Sequence, residues 1–126
     1  MIKREVVMAP AGGPSHGKGM VQGIKAGGFI FFSAIRGNHP VTNYESSDTK
    51  DQARQAFENL KVLLGAAGAG LEHVVKVTLY LQDLRIAYPF TMFGWNTIPR
   101  TRRRVSQFKL PMPTPSLVAM RILLWM

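Results

Sequence analysis

Two hydrophobic periods lie side by side in the middle of this chain, and together they allow few ways of packing. In residues 49–67, Ala53, Ala56, Phe57, Leu60, Leu63, Leu64 and Ala67 recur at spacings of three and four. That spacing predicts a helix with one apolar face, while Lys50, Asp51, Arg54, Glu58 and Lys61 fall mostly outside it. Asp48 or Thr49 can cap its start, with Gln52 completing a capping box from Thr49, and Gly68 or Gly70 can end it. In residues 75–81 the period changes to two: Val75, Val77, Leu79 and Leu81 alternate with Lys76, Thr78, Tyr80 and Gln82. This is the pattern of a strand with one buried face. A helix with a single apolar face, followed at once by a half-buried strand, has to lie on a sheet.

The remaining segments supply that sheet. Residues 3–8 read as a short first strand, and the Gly- and Pro-rich stretch 9–19 reads as a loop. Residues 20–26 and 29–35 read as two strands joined by Gly27-Gly28, a pair suited to a tight hairpin. Gly37, Asn38, Pro40 and Asn43 mark 36–47 as loop. Residues 83–96 form a candidate second helix, with Tyr88, Met92 and Trp95 roughly on one side and Pro89 interrupting it. Residues 105–110 and 117–125 are candidate closing strands around the corner of Pro111, Pro113 and Pro115. The order predicts an α+β fold, a six-stranded sheet with two helices packed on one face. No internal repeat or low-complexity tract is present.

A length of 126 residues suits one domain over residues 1–126, small enough to gain from burying surface in an oligomer. With no cysteine in the chain, disulfides, thiol nucleophiles and Cys-ligated zinc are excluded. The longest apolar stretches fall short of a membrane span, and the opening residues lack the apolar core of a signal peptide. The expectation is a cytoplasmic protein without membrane contact.

Charge is unevenly spread. The net charge is +9, yet all seven acids lie before Phe90, among ten Lys and Arg. From Thr91 to Met126 there are six basic residues (Arg100, Arg102, Arg103, Arg104, Lys109 and Arg121), both tryptophans and no acid. A stretch of that length without a carboxylate is unusual for a globular surface, so the character of the chain changes near residue 90.

His16, His39 and His73 have no metal-ligand spacing, and no glycine run sits between a strand and a helix as a phosphate loop requires. No metal and no cofactor are expected. Ser33 has no acid or histidine placed beside it in sequence, so a Ser-His triad is not expected. Arg102-Arg103-Arg104 is either a solvated basic run or a grip for a carboxylate or phosphate.

Three stretches together resemble the RidA/YjgF (endoribonuclease L-PSP-like) family over roughly the first 90 residues. They are Gly27-Gly28-Phe29-Ile30-Phe31-Phe32-Ser33-Ala34-Ile35-Arg36-Gly37; Asp51-Gln52-Ala53-Arg54-Gln55-Ala56-Phe57-Glu58-Asn59-Leu60-Lys61 leading to Ala66-Ala67-Gly68; and Leu71-Glu72-His73-Val74-Val75-Lys76-Val77-Thr78-Leu79-Tyr80-Leu81-Gln82-Asp83. The resemblance implies a chorismate-mutase-like fold and a homotrimer with pockets between subunits. It also implies deaminase activity, the hydrolysis of carboxylate-bearing imines or enamines (2-imino acids) to 2-keto acids and ammonia. In that family an arginine on the strand after the second helix holds the substrate carboxylate, a glutamate on the last strand positions water, and the serine matching Ser33 lines the pocket. Bidentate guanidinium–carboxylate pairing and a held water are reasonable chemistry for such a reaction.

The match fails in three places. Gly13-Pro14 is followed by Ser15-His16 rather than by the family's Tyr-Ser, no acid stands on the closing strand, and the tail lacks the arginine signature. Arg103 and Arg104 lie nearest the family's arginine position and are the candidate substitutes. Loss of one base in codon 91 explains the break. Rebuilding codons across single-codon residues then forces Val from Met92-Phe93, Glu from Trp95-Asn96, Ala from Met112-Pro113 and Asp from Trp125-Met126. The free third bases allow a Pro-Pro-Ala-Arg signature with its arginine at the place of Val105. On this reading the chain is an impaired deaminase. The alternatives are a non-catalytic trimer that binds small carboxylates and an RNA-acting, endoribonuclease- or translation-inhibitor-like protein. Nucleic acid is not expected as a partner, because no aromatic–basic stacking motif accompanies the charge.

Overall fold

A computed structural model describes residues 1–14, 19–81, 105–109 and 118–125. Helix α1 (Thr49–Ala66) begins at Asp48, whose carboxylate accepts hydrogen bonds from the Lys50 and Asp51 amides at 2.7 and 3.3 Å. The capping box expected from Gln52 does not form. Its side chain is buried and donates instead to the Ser46 carbonyl, tying the preceding loop to the first turn. At the other end Gly68 takes φ 73°, and two bonds, Gly68 N–H to Gly65 O and Ala69 N–H to Leu64 O, close a Schellman motif.

All seven residues of the expected apolar face are buried. Phe57, Leu60, Leu63 and Leu64 contribute about 1.5–3 kcal/mol each by leaving water, whereas the cap contributes about 1 kcal/mol. Packing therefore holds this helix in place, and the cap only fixes where it starts.

The sheet that receives it runs in the order β1 (Arg4–Val7), β2 (Gly23–Ala26), β3 (Phe29–Phe32), β7 (Val118–Trp125), β5 (Val74–Leu81), β6 (Val105–Lys109), with β4 (Ile35–Arg36) paired to β7. All pairings are antiparallel except β5 with β6. Gly27 and Gly28 take φ 57° and 81°, the left-handed pair of a two-residue type I′ turn, which joins β2 to β3 as the sequence suggested. Val7, Ile30, Phe32, Ile35, Val74 and Val77 meet the helix in one core.

Among the described residues the sheet has seven strands where six were expected. The expected strand 29–35 is interrupted: β3 stops at Phe32 and resumes as β4, which takes Arg36 out of the loop assigned to it. The alternation in β5 also slips. A register shift between Val74 and Lys76 buries Val74 and Val77 and leaves Val75 half-buried. The candidate second helix and the proline corner lie outside the described residues.

Behind β4 the helix comes very close. A Cβ on Gly37 would stand 2.2 Å from the Gln52 carbonyl oxygen. Asn59, buried on α1, donates from Nδ2 to the carbonyls of Arg36 and Asn38, both at 2.9 Å, and its Oδ1 accepts from Gln55. Neither polar contact was visible in the apolar periodicity. The Arg36 guanidinium stands 3.0 Å from the buried Glu45 carboxylate, closing the loop that follows.

Two substitutions check this packing by urea unfolding. Gly37→Ala has no space for its methyl group and should lower stability by about 1–3 kcal/mol. Asn59→Leu strands two buried carbonyls and should cost about 1–3 kcal/mol. Wild-type stability in both variants would mean that α1 does not lie this close to β4.

Candidate functional site

The break between β3 and β4 is a β-bulge. Phe31 pairs with Leu123 and Ile35 with Met120, so four steps along one strand match three along β7. Bulges re-aim side chains and end pairing, and they are common beside active sites. Here the chain leaves β2 while staying on β7, and Ser33 sits at the fork.

Two bonds fix Ser33. Its amide donates to the Gln22 carbonyl at 2.9 Å, and its Oγ donates to the Val21 carbonyl at 2.7 Å. A carbonyl can only accept, so the hydroxyl proton is committed. The Oγ lone pairs remain, and the half-buried residue therefore meets a ligand as an acceptor of N–H or O–H bonds. Among the described residues no histidine or carboxylate is hydrogen-bonded to this hydroxyl.

Arg103 and Arg104 lie outside the described residues, as does His16. The described strands nevertheless put tail residues beside Ser33: the positions of β7 opposite the bulge are 121 and 122, and Arg121 pairs in register with Thr78 of β5. His39 Nδ1 accepts from the Val41 and Thr42 amides at 3.2 Å, and His73 Nδ1 accepts from the Gly70 amide at 3.0 Å. Both histidines thus serve local turns. Among the described residues no group of three or more metal-ligating side chains stands together, and no helix is long and apolar enough to cross a membrane.

A shallow cleft of about 270 Å³ opens beside Lys3, Glu5, Lys25, Gly27 and Phe29. It lies at the hairpin end of β3, away from Ser33, and its Lys25 is 3.7 Å from Glu5. It brings no reactive group to the bulge. The sequence places Val21 and Gln22 in the strand 20–26; the structure starts β2 at Gly23 and commits their carbonyls and one side-chain amide to hydrogen bonds that leave no hydrophobic pattern.

Comparison with known proteins gives this site a context. The family model for endoribonuclease L-PSP matches residues 14–92, which include Ser33 and stop beside the change in composition. A RutC family protein of Pyrococcus horikoshii is 47% identical over 64 residues, 50% of this chain and 51% of that one. The chloroplastic Reactive Intermediate Deaminase A of Arabidopsis thaliana is 39% identical over 88 residues, 66% of this chain and 44% of that one. A 2-iminobutanoate/2-iminopropanoate deaminase of Salmonella typhimurium is 36% identical over 64 residues, 51% of this chain and 50% of that one. The chain thus spans about half the length of the curated relatives it matches.

Among solved structures, RidA from an Antarctic Psychrobacter superposes with a TM-score of 0.88 at 24% identity, covering 97% of this chain and 99% of that one. Escherichia coli TdcF with bound serine gives 0.82 at 22% identity, covering 97% and 98%. These two establish likeness of fold. Taken with the family match over most of the chain, they make this protein a member of the RidA/YjgF (endoribonuclease L-PSP) family.

Proposed function

We propose that the chain is built on a reactive-imine deaminase: a single domain that hydrolyses 2-imino acids to 2-keto acids and ammonia, with activity impaired by its tail. The observation that carries this is Ser33, aimed by a bulge and fixed as an acceptor inside the segment that matches the family. Water adds to the C=N carbon, the carbinolamine collapses, and nitrogen leaves as ammonia. An acceptor hydroxyl suits a substrate that presents an imine N–H or a water that presents an O–H. The substrate carboxylate is assigned to a tail guanidinium, Arg103 or Arg104, by charge complementarity.

Impairment is supported by composition. The family match ends at residue 92, and no Asp or Glu follows Asp83. Strand β7 therefore carries no carboxylate to order the attacking water, and a one-base shift near codon 91 accounts for both facts. The same absence favours a second reading, carboxylate binding without turnover.

Assembly as a homotrimer with pockets between subunits is supported by an uncovered apolar face. Val6, Ile24 and Phe31 line up in register across three strands on the side away from α1, and Val6 and Phe31 are 58% and 51% exposed. Met8 and Phe29 extend the apolar surface. A contiguous apolar patch of this kind marks an interaction surface. The residues lie on strands, where a like sheet can cover them.

Ammonia release from 2-iminopropanoate should be lower for this chain than for the protein made with one base restored in codon 91. Equal rates would remove the claim of impairment. Sedimentation should show a trimer that Phe31→Asp dissociates; a wild-type monomer would instead mean that the apolar face is covered by something other than a second copy.

A further inference from the structure

Gln22 is a polar side chain at 2% exposure just before β2. Its Oε1 accepts from the Ala9 amide, and its Nε2 donates to the Pro14 carbonyl. Ala9 N–H can only donate and Pro14 C=O can only accept, so the amide has one permitted orientation and glutamine is specifically suited to the place. These two bonds hold both ends of residues 9–14. Within that stretch the Gly13 amide bonds to the Pro10 carbonyl at 2.9 Å, and Gly13 packs so near Val62 of α1 that a Cβ would lie 3.3 Å from it.

The main chain of the same residue faces the other way, where its carbonyl takes the Ser33 amide and the neighbouring Val21 carbonyl takes the Ser33 hydroxyl. One two-residue segment thus hangs the loop on its side-chain amide and the site serine on its carbonyls. We propose that Gln22 is a positioning residue of the Ser33 site, locking the loop of residues 9–14 at a fixed place relative to the Ser33 acceptor, so that ligand affinity depends on a side chain that does not touch the ligand. This inference rests on Ser33 being a ligand-binding residue, as argued above.

The test uses the full chain, with pyruvate and serine as probe ligands titrated by calorimetry and with hydrogen exchange of the Ala9 amide followed by NMR. In Gln22→Met, exchange at Ala9 should quicken and both dissociation constants should rise about tenfold, the scale of losing a buried hydrogen-bond pair. Asp48→Ala, which weakens the fold by removing the α1 cap, should leave both affinities unchanged.

Gln22→Glu, when ionised, still accepts from Ala9 but has no donor for the Pro14 carbonyl, so both affinities should fall as in the methionine variant. It should recover toward wild type as pH is lowered through its titration, because the protonated carboxyl regains a donor for Pro14 and keeps an acceptor for Ala9. This variant decides the matter if Gln22→Met does not fold. Faster exchange with unchanged affinities would overturn the positioning role, and unchanged exchange would overturn the clamp itself. If wild type binds neither ligand, the reading of Ser33 fails first and the positioning role with it, whatever the exchange at Ala9 shows.

Discussion

Helix α1 lies so close to the sheet at β4 that no side chain fits between them at Gly37. Hydrophobic burial drives the two together, but it is non-directional and does not choose a depth or an angle. The choice is made by Asn59, which reaches the carbonyls of Arg36 and Asn38, and by Gln52, which holds Ser46. Buried amides left unpaired cost about 1–3 kcal/mol each, comparable to the burial of a leucine. A helix sliding along the sheet would keep most of its apolar contacts and lose these. That difference locks β4 against α1, and with it the end of the bulge that displays Ser33.

The polar groups around the bulge follow the same logic. Past Phe32 the β2–β3 pairing runs one rung further, from the Ser33 amide to the Gln22 carbonyl, and the polar groups beyond it need other partners. The Val21 and Gln22 carbonyls meet the Ser33 hydroxyl and amide, and the Gln22 side chain meets Ala9 and Pro14. Among the described residues, no buried side-chain nitrogen or oxygen lacks a partner. Ser33 is consequently an acceptor because of what the fold requires of its proton.

The tail presents a conflict between composition and place. Its residues 105–109 and 118–125 occupy strand positions, and β7 is central, touching β3, β4 and β5. A nearly continuous apolar run such as Val118, Ala119, Met120, Ile122, Leu123 and Leu124 suits a central strand whatever its origin. Chemistry is less forgiving than strand propensity. A strand position accepts many apolar sequences, whereas a carboxylate is one residue type at one place, and no Asp or Glu follows Asp83.

By itself the sequence determined the elements whose signal is periodic and local. The buried face of α1 from Ala53 to Ala67, the turn at Gly27-Gly28, and closing strands near 105–110 and 117–125 all rest on side-chain spacing or on glycine's access to positive φ. Family membership was legible too, because three motifs in series preserve spacing. Only the tertiary structure decided where strand 29–35 breaks, why β5 slips at Val75, that Asp48 rather than Thr49 caps the helix, and that Val21 and Gln22 hold Ser33. Those outcomes depend on which backbone group lies opposite which across the sheet. Residues distant in sequence make that pairing, such as Ser33 with Val21 and Asn59 with Arg36, and no local pattern encodes it.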